Sequence, residues 1–287
     1  MEGVGGGVFA DLVTVHAGSA SHPGHHRRVN EDSILVAEHV YAVADGMGGH
    51  AAGDLASAIL VEELRHLVAR PVEAADVSAA LERAATRVRR LDAGPAGTTV
   101  AAAIGVERES VAYWLIANLG DSRTYRFSDG ELVQVSVDHS MVQELLDSGQ
   151  LDEAQARVHP QRHVITRAVG GPEAIRPDYW LLPVSDGDRL VLCSDGLTNE
   201  LSDERIASTL RQLADPQEAA HDLVRQARAA GGSDNITVVV VDVGEALEVA
   251  LDRQGRVLVV IVERRQKDAA LQIEVAHVAA LAGGSGR

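Results

Sequence analysis

The chain has 287 residues, of which 46% are hydrophobic and 24% charged, so it can bury a core in one large or two small globular domains. Its formal net charge of -16 argues against binding nucleic acid or an anionic membrane through a basic surface. The single cysteine, Cys193, excludes an intramolecular disulfide and favours a reducing compartment. There is no signal-peptide pattern and no apolar run long enough to span a bilayer, so we expect a cytoplasmic protein.

Short apolar or β-branched runs bounded by turn residues predict strands through most of the chain. Several of these runs adjoin through tight turns such as Ser128-Asp129-Gly130, as the strands of antiparallel hairpins do. The predicted strands are 33–37, 40–44, 98–106, 111–118, 122–127, 131–135, 188–193 and 236–243.

Apolar residues at helical spacing predict two consecutive helices, 53–69 and 76–91, after the first strands. Asp76 is a candidate N-cap of the second helix, and Asp215 before Pro216 is typical of another helix start. Further helices are predicted at 140–149 and 203–213. Because strands and helices come in runs rather than in strict alternation, we expect an α+β sandwich of antiparallel sheets flanked by helices.

Two apolar runs end in Asp-Gly, at Asp45-Gly46 and at Asp195-Gly196. A carboxylate at the end of a buried strand is held rigidly, and the glycine after it lets an ion approach the backbone carbonyl. Other acids also stand at strand ends or turns, namely Glu31, Asp32, Asp121 and Asp234. Carboxylate and carbonyl oxygens are the ligands that Mg²⁺ and Mn²⁺ prefer. The sequence therefore predicts a site for hard divalent cations.

In their order along the chain, the segments around these acids resemble the metal-dependent Ser/Thr protein phosphatases of the protein phosphatase 2C family, in their compact bacterial form. The segments are Arg27-Arg28-Val29-Asn30-Glu31-Asp32, Asp45-Gly46-Met47-Gly48-Gly49-His50, Gly120-Asp121-Ser122-Arg123, Ser194-Asp195-Gly196 and Gly232-Ser233-Asp234-Asn235-Ile236, with support from Gly97-Thr98-Thr99, Asp138-His139-Ser140 and 163–170. The resemblance covers roughly residues 8–243 and implies a four-layer α/β/β/α sandwich with two central antiparallel sheets flanked by helix pairs. Residues 244–287 then form a C-terminal extension of unknown role.

The resemblance implies that two Mn²⁺ or Mg²⁺ ions are bound, with Asp45 bridging them and the carbonyl of Gly46 on one of them. Asp195 and Asp234 would hold the first ion. Asp121 would join Asp195 in binding a third and weaker ion.

Two neighbouring acids, Glu31 and Asp32, would hold the environment of the second ion, directly or through water. Arg27 matches the family's phosphate-binding arginine, and its planar guanidinium suits the phosphoryl oxygens. Catalysis is thus assigned to Arg27, Asp45 and Asp195.

The function implied by the resemblance is hydrolysis of phosphoserine and phosphothreonine in proteins by a metal-activated water. The expected partners are phosphorylated proteins and a bacterial Ser/Thr kinase that the phosphatase opposes, and the expected state is a monomer. Many eukaryotic members have His where this chain has Met47, which leaves a metal-bound water or His50 as the acid for the leaving group. Two rivals stay open: a non-catalytic phosphoprotein-binding module, and a developmental phosphatase that acts on an anti-sigma-factor antagonist.

Other conspicuous residues have structural interpretations. Cys193 lacks the phosphate-loop arginine of cysteine phosphatases, because the position six residues on is Asn199, so a buried strand thiol is expected. Arg123 is expected to pair with a nearby acid. The His22, His25 and His26 cluster suggests surface residues, with His25 or His26 at the mouth of the site, and Arg87, Arg89 and Arg90 suggest a solvated helix face.

Residues 141–176, here called the flap, are a mobile substrate-contacting segment in the family, although the helix at 141–148 could equally be scaffold.

Overall fold

A computed structural model describes residues 9–48, 52–68, 70–92, 94–172, 174–246, 248–251, 257–260 and 271–272. The candidate acid His50 and most of the predicted C-terminal extension lie outside the described residues.

Strands make up most of the regular structure. They are β1 (Val13–His22), β2 (Asp32–Ala37), β3 (Val40–Met47), β4 (Gly97–Thr98), β5 (Val100–Arg108), β6 (Val111–Leu119), β7 (Arg123–Ser128), β8 (Glu131–Gln134), β9 (Asp178–Pro183), β10 (Arg189–Cys193), β11 (Ile236–Ala246), β12 (Glu248–Leu251), β13 (Val257–Val260) and β14 (Leu271–Gln272). The helices are α1 (Phe9–Leu12), α2 (Ala52–Arg65), α3 (Ala74–Val88), α4 (Met141–Asp147), α5 (Glu153–Arg157), α6 (Asp195–Thr198), α7 (Asp203–Gln212) and α8 (Pro216–Ala230).

Two antiparallel sheets stack at the centre of the fold. The first has the strand order β1-β11-β10-β7-β8, and the second has the order β14-β9-β6-β5-β3-β2 with β4 beside β3. Side chains from both sheets, such as Tyr41, Trp114 and Val239, form the apolar layer between them. Helices α2 and α3 cover the outer face of the second sheet, and α7 and α8 cover that of the first. The predicted four-layer α+β sandwich is therefore confirmed.

Sequence patterns missed two of the longer strands as well as short elements such as α5 and α6, and they misplaced one helix cap. Strand β1 was not predicted, because Ala17-Gly18-Ser19-Ala20-Ser21 has the small polar composition of a loop, yet it pairs with β11 along its length. Strand β9 was also missed. Helix α3 begins earlier than predicted, with Glu73 as its N-cap, and Asp76 is its third helical residue, which accepts a hydrogen bond from the Glu73 N–H. Asp215 caps α8 as predicted.

The predicted boundary of the C-terminal extension falls within β11, which continues to Ala246. Beyond it, β12 pairs with β13 in an antiparallel hairpin, and β14 adds to the edge of β9. The division into a domain at 8–243 and an extension at 244–287 stays a prediction.

Candidate active site

The predicted acids come from strand ends that lie at one end of the two stacked sheets. Asp32 opens β2 and stands opposite Asp45 in the β2–β3 register. Asp121 lies in the turn between β6 and β7, and Asp195 follows β10. Asp234 comes just before β11, whose start is paired with the end of β10. Antiparallel pairing brings these ends together, although the residues are up to two hundred positions apart in sequence.

The acids surround a cleft of about 570 Å³. All of the predicted site residues except Asp32 line it. The lining consists of Arg27, Glu31, Asp45, Gly46, Met47, Gly48, Asp121, Arg162, His163, Ile165, Asp195, Asn199, Ser233, Asp234 and Asn235. Asp32 lies beside this lining, where its Oδ2 accepts a hydrogen bond from the Ser194 hydroxyl at 2.9 Å.

Burial and mutual repulsion oppose ionisation of these carboxylates. Burial, followed by the nearby charge of Asp32, raises the pKa of Asp45 well above its ordinary value. Burial also raises the pKa of Asp32 to about 7, although hydrogen bonds from Thr237 and Ser194 oppose the shift. Without cations, the cleft therefore favours protonated acids at positions where a soluble protein would ordinarily hold carboxylates.

Two further acids of the cleft show the same effect. Burial and the charge of Asp195 raise the pKa of Asp121 to about 8. The pKa of Asp195 is raised by burial and by Asp234, against hydrogen bonds to Asn199 and to Asp45. Acids that raise one another's pKa in this way share a negative potential, which divalent cations would neutralise.

Two carboxylate oxygens at the site are buried and have no hydrogen-bond partner, namely Oδ1 of Asp32 and Oδ1 of Asp121. A buried polar atom without a partner is costly, and an ion or water usually satisfies it. Within the described part of the chain, however, no group of three or more His, Cys, Asp or Glu side chains is close enough to hold an ion as it stands. The shared cleft and the raised pKa values nevertheless favour a cation site, because the repulsion among buried carboxylates is relieved either by protonation or by a bound cation.

The backbone around Asp45 is fixed by the segment at the β4–β5 junction. The Asp45 N–H donates to the Thr99 hydroxyl at 3.0 Å, and the Asp45 carbonyl accepts from the Thr98 hydroxyl at 3.0 Å and from the Thr99 N–H at 2.9 Å. On the other side, a Cβ on Gly46 would lie 2.1 Å from the carbonyl oxygen of Gly53, so only glycine allows this contact with α2. The Asp45-Gly46 step is thus held from both sides.

Arg27 and Asp234 meet across the cleft, with Nη2 of the arginine 2.7 Å from Oδ2 of the aspartate. The guanidinium is half exposed, so it can also reach a ligand from solvent. The Asn235 side chain is buried and holds the loop that carries Arg27. It donates to the carbonyls of Pro23 and Val29 and accepts from the Glu31 N–H at 2.8 Å.

Several residues of the cleft were not predicted individually. Arg162 and His163 come from the flap, for which the sequence predicted no individual site residue. Asn199 was discussed only because it stands where a cysteine phosphatase would have an arginine. Asn235 lay inside a quoted motif without a role. The signal that could have found Asn199 is its spacing, since it stands four residues after Asp195 and donates to its Oδ2 at 2.9 Å.

The remaining structural interpretations can be checked against contacts. Cys193 is buried and Arg123 pairs with Asp138, both as predicted. His25 contacts Gly232 and Arg228 instead of lining the cleft. Among the described residues, no helix is long and apolar enough to cross a membrane.

Comparison with known proteins identifies this arrangement. The sequence model of the family described as Protein phosphatase 2C matches residues 24–230. The serine/threonine protein phosphatase PstP of Mycobacterium tuberculosis is 39% identical over 225 residues, which are 76% of this chain and 43% of that protein. The chain thus spans less than half the length of this relative. The serine/threonine phosphatase stp of Listeria monocytogenes is 34% identical over 245 residues, which are 79% of this chain and 96% of that protein.

A solved structure shows the same fold with ions bound. The crystal structure of the catalytic domain of PstP in complex with two manganese ions has a TM-score of 0.71 and 36% sequence identity. The match covers 81% of this chain and 99% of that one.

Proposed function

We propose that this chain, which belongs to the protein phosphatase 2C family, is a metal-dependent phosphatase that hydrolyses phosphoserine and phosphothreonine in proteins. The observation that carries this proposal is the cleft itself, where mutually repelling acids from both sheets face one volume beside an arginine. The similarity of the chain's sequence to bacterial serine/threonine phosphatases, over most of its length, supports the same activity.

Oxygen ligands in the cleft suit Mn²⁺ or Mg²⁺. The unpartnered oxygens of Asp32 and Asp121 and the raised pKa values of the acids fit cations of this kind. We assign binding of two ions, and of a third and weaker one, to Glu31, Asp32, Asp45, Gly46, Asp121, Asp195 and Asp234. When bound, such cations lower the pKa of a nearby water and so supply a nucleophile near neutral pH.

The protein's own residues bind and orient the phosphoryl group. Arg27 offers parallel N–H donors to phosphoryl oxygens, and its ion pair with Asp234 holds it at the cleft. Asp45 and Asp195 would hold the ions close to this arginine, because their backbones are fixed in the sheet and at the start of α6. Met47 lines the cleft and cannot transfer a proton, so a water in the cleft is the proposed acid for the leaving group.

We also propose that the substrates are cytoplasmic proteins that a bacterial Ser/Thr kinase has phosphorylated. The names of the relatives and the acidic surface of the chain support this choice, because they favour protein substrates over nucleic acid or membranes. The chain is also proposed to act as a monomer, because Arg27 and the acids assigned to the ions already meet in one cleft without a second copy.

The test is a phosphatase assay on phosphothreonine and phosphotyrosine peptides of the same sequence, with Mn²⁺ titrated from a chelated baseline. We expect hydrolysis of the phosphothreonine peptide only when Mn²⁺ is added. Asp195→Ala should abolish this hydrolysis, and Asp92→Asn, which changes an exposed acid, should preserve it.

Three results would contradict the proposal: no hydrolysis with millimolar Mn²⁺, an unchanged rate in Asp195→Ala, or preference for the phosphotyrosine peptide. Tight peptide binding without phosphate release would favour the non-catalytic module instead.

A further inference from the structure

His139 is a buried histidine whose role the phosphatase mechanism leaves open. It lies between β8 and α4, outside the cleft lining, and its side chain contacts two regions that differ in function. One is the turn that carries Asp121, and the other is the end of the flap.

On the side of the turn, His139 binds both backbone groups of Gly120. The Gly120 N–H donates to Nδ1 of His139 at 3.1 Å, and the Gly120 carbonyl accepts from the His139 N–H at 2.9 Å. Gly120 has a φ of 110°, and a Cβ there would lie 2.6 Å from the Thr99 side chain, so other residues are excluded. The backbone that precedes Asp121 is therefore held in one conformation.

On its other side, His139 contacts Thr166 and Arg167 of the flap and Asp178 at the start of β9. Its carbonyl accepts from the Thr166 N–H at 2.9 Å, and Nε2 lies 3.1 Å from Oδ2 of Asp178 and 3.2 Å from the Arg167 guanidinium. Because Nδ1 accepts a hydrogen bond from the Gly120 N–H, the ring proton is on Nε2. The acceptor of this Nε2–H is Asp178, since the Arg167 guanidinium has donors only and accepts no hydrogen bond. Nδ1 of the imidazole thus accepts a hydrogen bond from the turn, and Nε2 donates one to Asp178.

We propose that His139 is a positioning residue for Asp121, which acts through the Nδ1 acceptor and holds the Asp121 carboxylate where it can bind the third ion. This inference rests on the proposed function, because the role of Asp121 does. Partners that orient a metal ligand without touching the metal commonly change metal affinity about 10- to 100-fold when they are lost. The buried, unpartnered Oδ1 of Asp121 is the atom whose position the turn determines.

Two near-isosteric variants separate the nitrogens. His139→Asn keeps an acceptor at the Nδ1 position and loses the contact with Asp178. His139→Gln keeps a donor at the Nε2 position and loses the acceptor for Gly120. A role in packing alone would affect both variants alike.

Mn²⁺ binding is measured by titration with electron paramagnetic resonance of the free ion, with Asp121→Ala as the reference for loss of the weak site. We expect at least about 10-fold weaker Mn²⁺ binding at the weakest site in His139→Gln and unchanged binding in His139→Asn. Hydrogen exchange of the Gly120 amide in chelator provides a readout without metal, and it should be faster in His139→Gln alone.

The proposal is overturned if His139→Asn loses the weak site, if both variants lose it equally, or if neither does. Should His139→Gln fail to fold, His139→Ala, which also lacks the acceptor for Gly120, takes its place: loss of the weak site in His139→Ala with retention in His139→Asn supports the proposal, and any other pattern overturns it. If the wild type hydrolyses no phosphopeptide, the proposed function fails, but the Mn²⁺ titration and the amide exchange still decide the role of His139.

Discussion

Two regions of this molecule hold buried or partly buried carboxylates, and they differ in whether arginines neutralise the charge. In the cleft, Asp32, Asp45 and Asp121 face one another, and burial and repulsion raise their pKa values. Elsewhere, Glu63 accepts from both Arg83 and Arg87, and Asp242 receives two contacts from Arg189. We call the second set the paired carboxylates.

The difference shows what each region requires. The paired carboxylates are neutralised within the chain, so their charge serves the fold. In the cleft, the ion pair of Arg27 with Asp234 leaves the repulsion among the other acids in place. A folded protein tolerates such repulsion where ligand binding relieves it, and this is the physical basis for assigning a cation site to the cleft.

The largest expected effect comes from Asp45→Asn. Loss of the proposed bridging charge should reduce Mn²⁺-dependent hydrolysis of para-nitrophenyl phosphate on the order of 10³-fold, because activation of the water depends on the ions. In chelator, the same change should leave the free energy of unfolding unchanged or higher, because burial and the neighbouring acids already oppose ionisation of Asp45, and asparagine is neutral at every pH. Steady-state kinetics and urea unfolding measure the two effects, with Asp92→Asn as the control. A variant that stays active, or one that is strongly destabilised in chelator, would place Asp45 with the paired carboxylates.

The next effect is on stability and concerns Arg189→Met. Arg189 is buried and also donates to the carbonyls of Leu210, Leu213 and Ala214 at the end of α7. Because Asp242 is only partly buried, loss of its partner should cost about 3 kcal/mol, the low end for buried pairs, so Tm should fall by roughly 10 °C. Activity per folded molecule should not change.

The matched control for Arg189→Met is the double variant with Asp242→Leu. It should recover part of the lost stability, because it no longer leaves Asp242 without its cation. A double variant that is less stable than Arg189→Met would show that the pair is not what makes Arg189 important.

Sequence alone predicted that Asp45 and Asp195 stand at the ends of buried strands, because each precedes a glycine at the end of an apolar run. The other acids of the cleft were selected by their positions at strand ends or turns and by the family resemblance. Sequence could not predict Arg162 and His163, because their approach to the cleft depends on the path of the flap. Strand β1 was missed because its pairing with β11, and not its composition, makes it a strand. The predicted solvated face at Arg87, Arg89 and Arg90 agrees with their full or partial exposure, but sequence did not reveal that Arg87 also pairs with Glu62 and Glu63 of α2.

The two regions should also differ in the sign of their pH dependence. Asp32 keeps its proton in the folded protein up to about pH 7, whereas its ordinary value is 3.8, so the folded state binds more protons in this interval. In chelator, the free energy of unfolding should therefore fall as the pH rises from about 4 to 7. Saturating Mn²⁺ should weaken or reverse this trend, because the ions bind the ionised acids. Thermal unfolding with and without Mn²⁺ measures it, and a stability in chelator that rises over this interval would contradict it.

The smallest effect is expected from Glu63→Gln, which tests the opposite sign. Burial raises the pKa of Glu63, but hydrogen bonds from Arg87 and Arg83 outweigh it and lower the pKa below its ordinary 4.5. Its contribution to stability is therefore complete above pH 4.5 and is lost as the pH falls through the lower folded value. Because both arginines are largely exposed, we expect Glu63→Gln to cost about 1 kcal/mol at pH 7.

Urea unfolding of Glu63→Gln and Asp32→Asn in chelator, across the same pH series, compares the two regions directly. The destabilisation by Glu63→Gln should shrink below pH 4.5, because the wild-type carboxylate is then protonated as well. Asp32→Asn should instead become stabilising relative to the wild type as the pH rises towards 7. The wild-type protein loses stability over this interval because Asp32 ionises more readily in the unfolded chain, whereas asparagine does not ionise. If the two variants changed stability with pH in the same direction, repulsion among the acids would not distinguish the cleft from the paired carboxylates. The assignment of external cations to the cleft would then lose its physical basis.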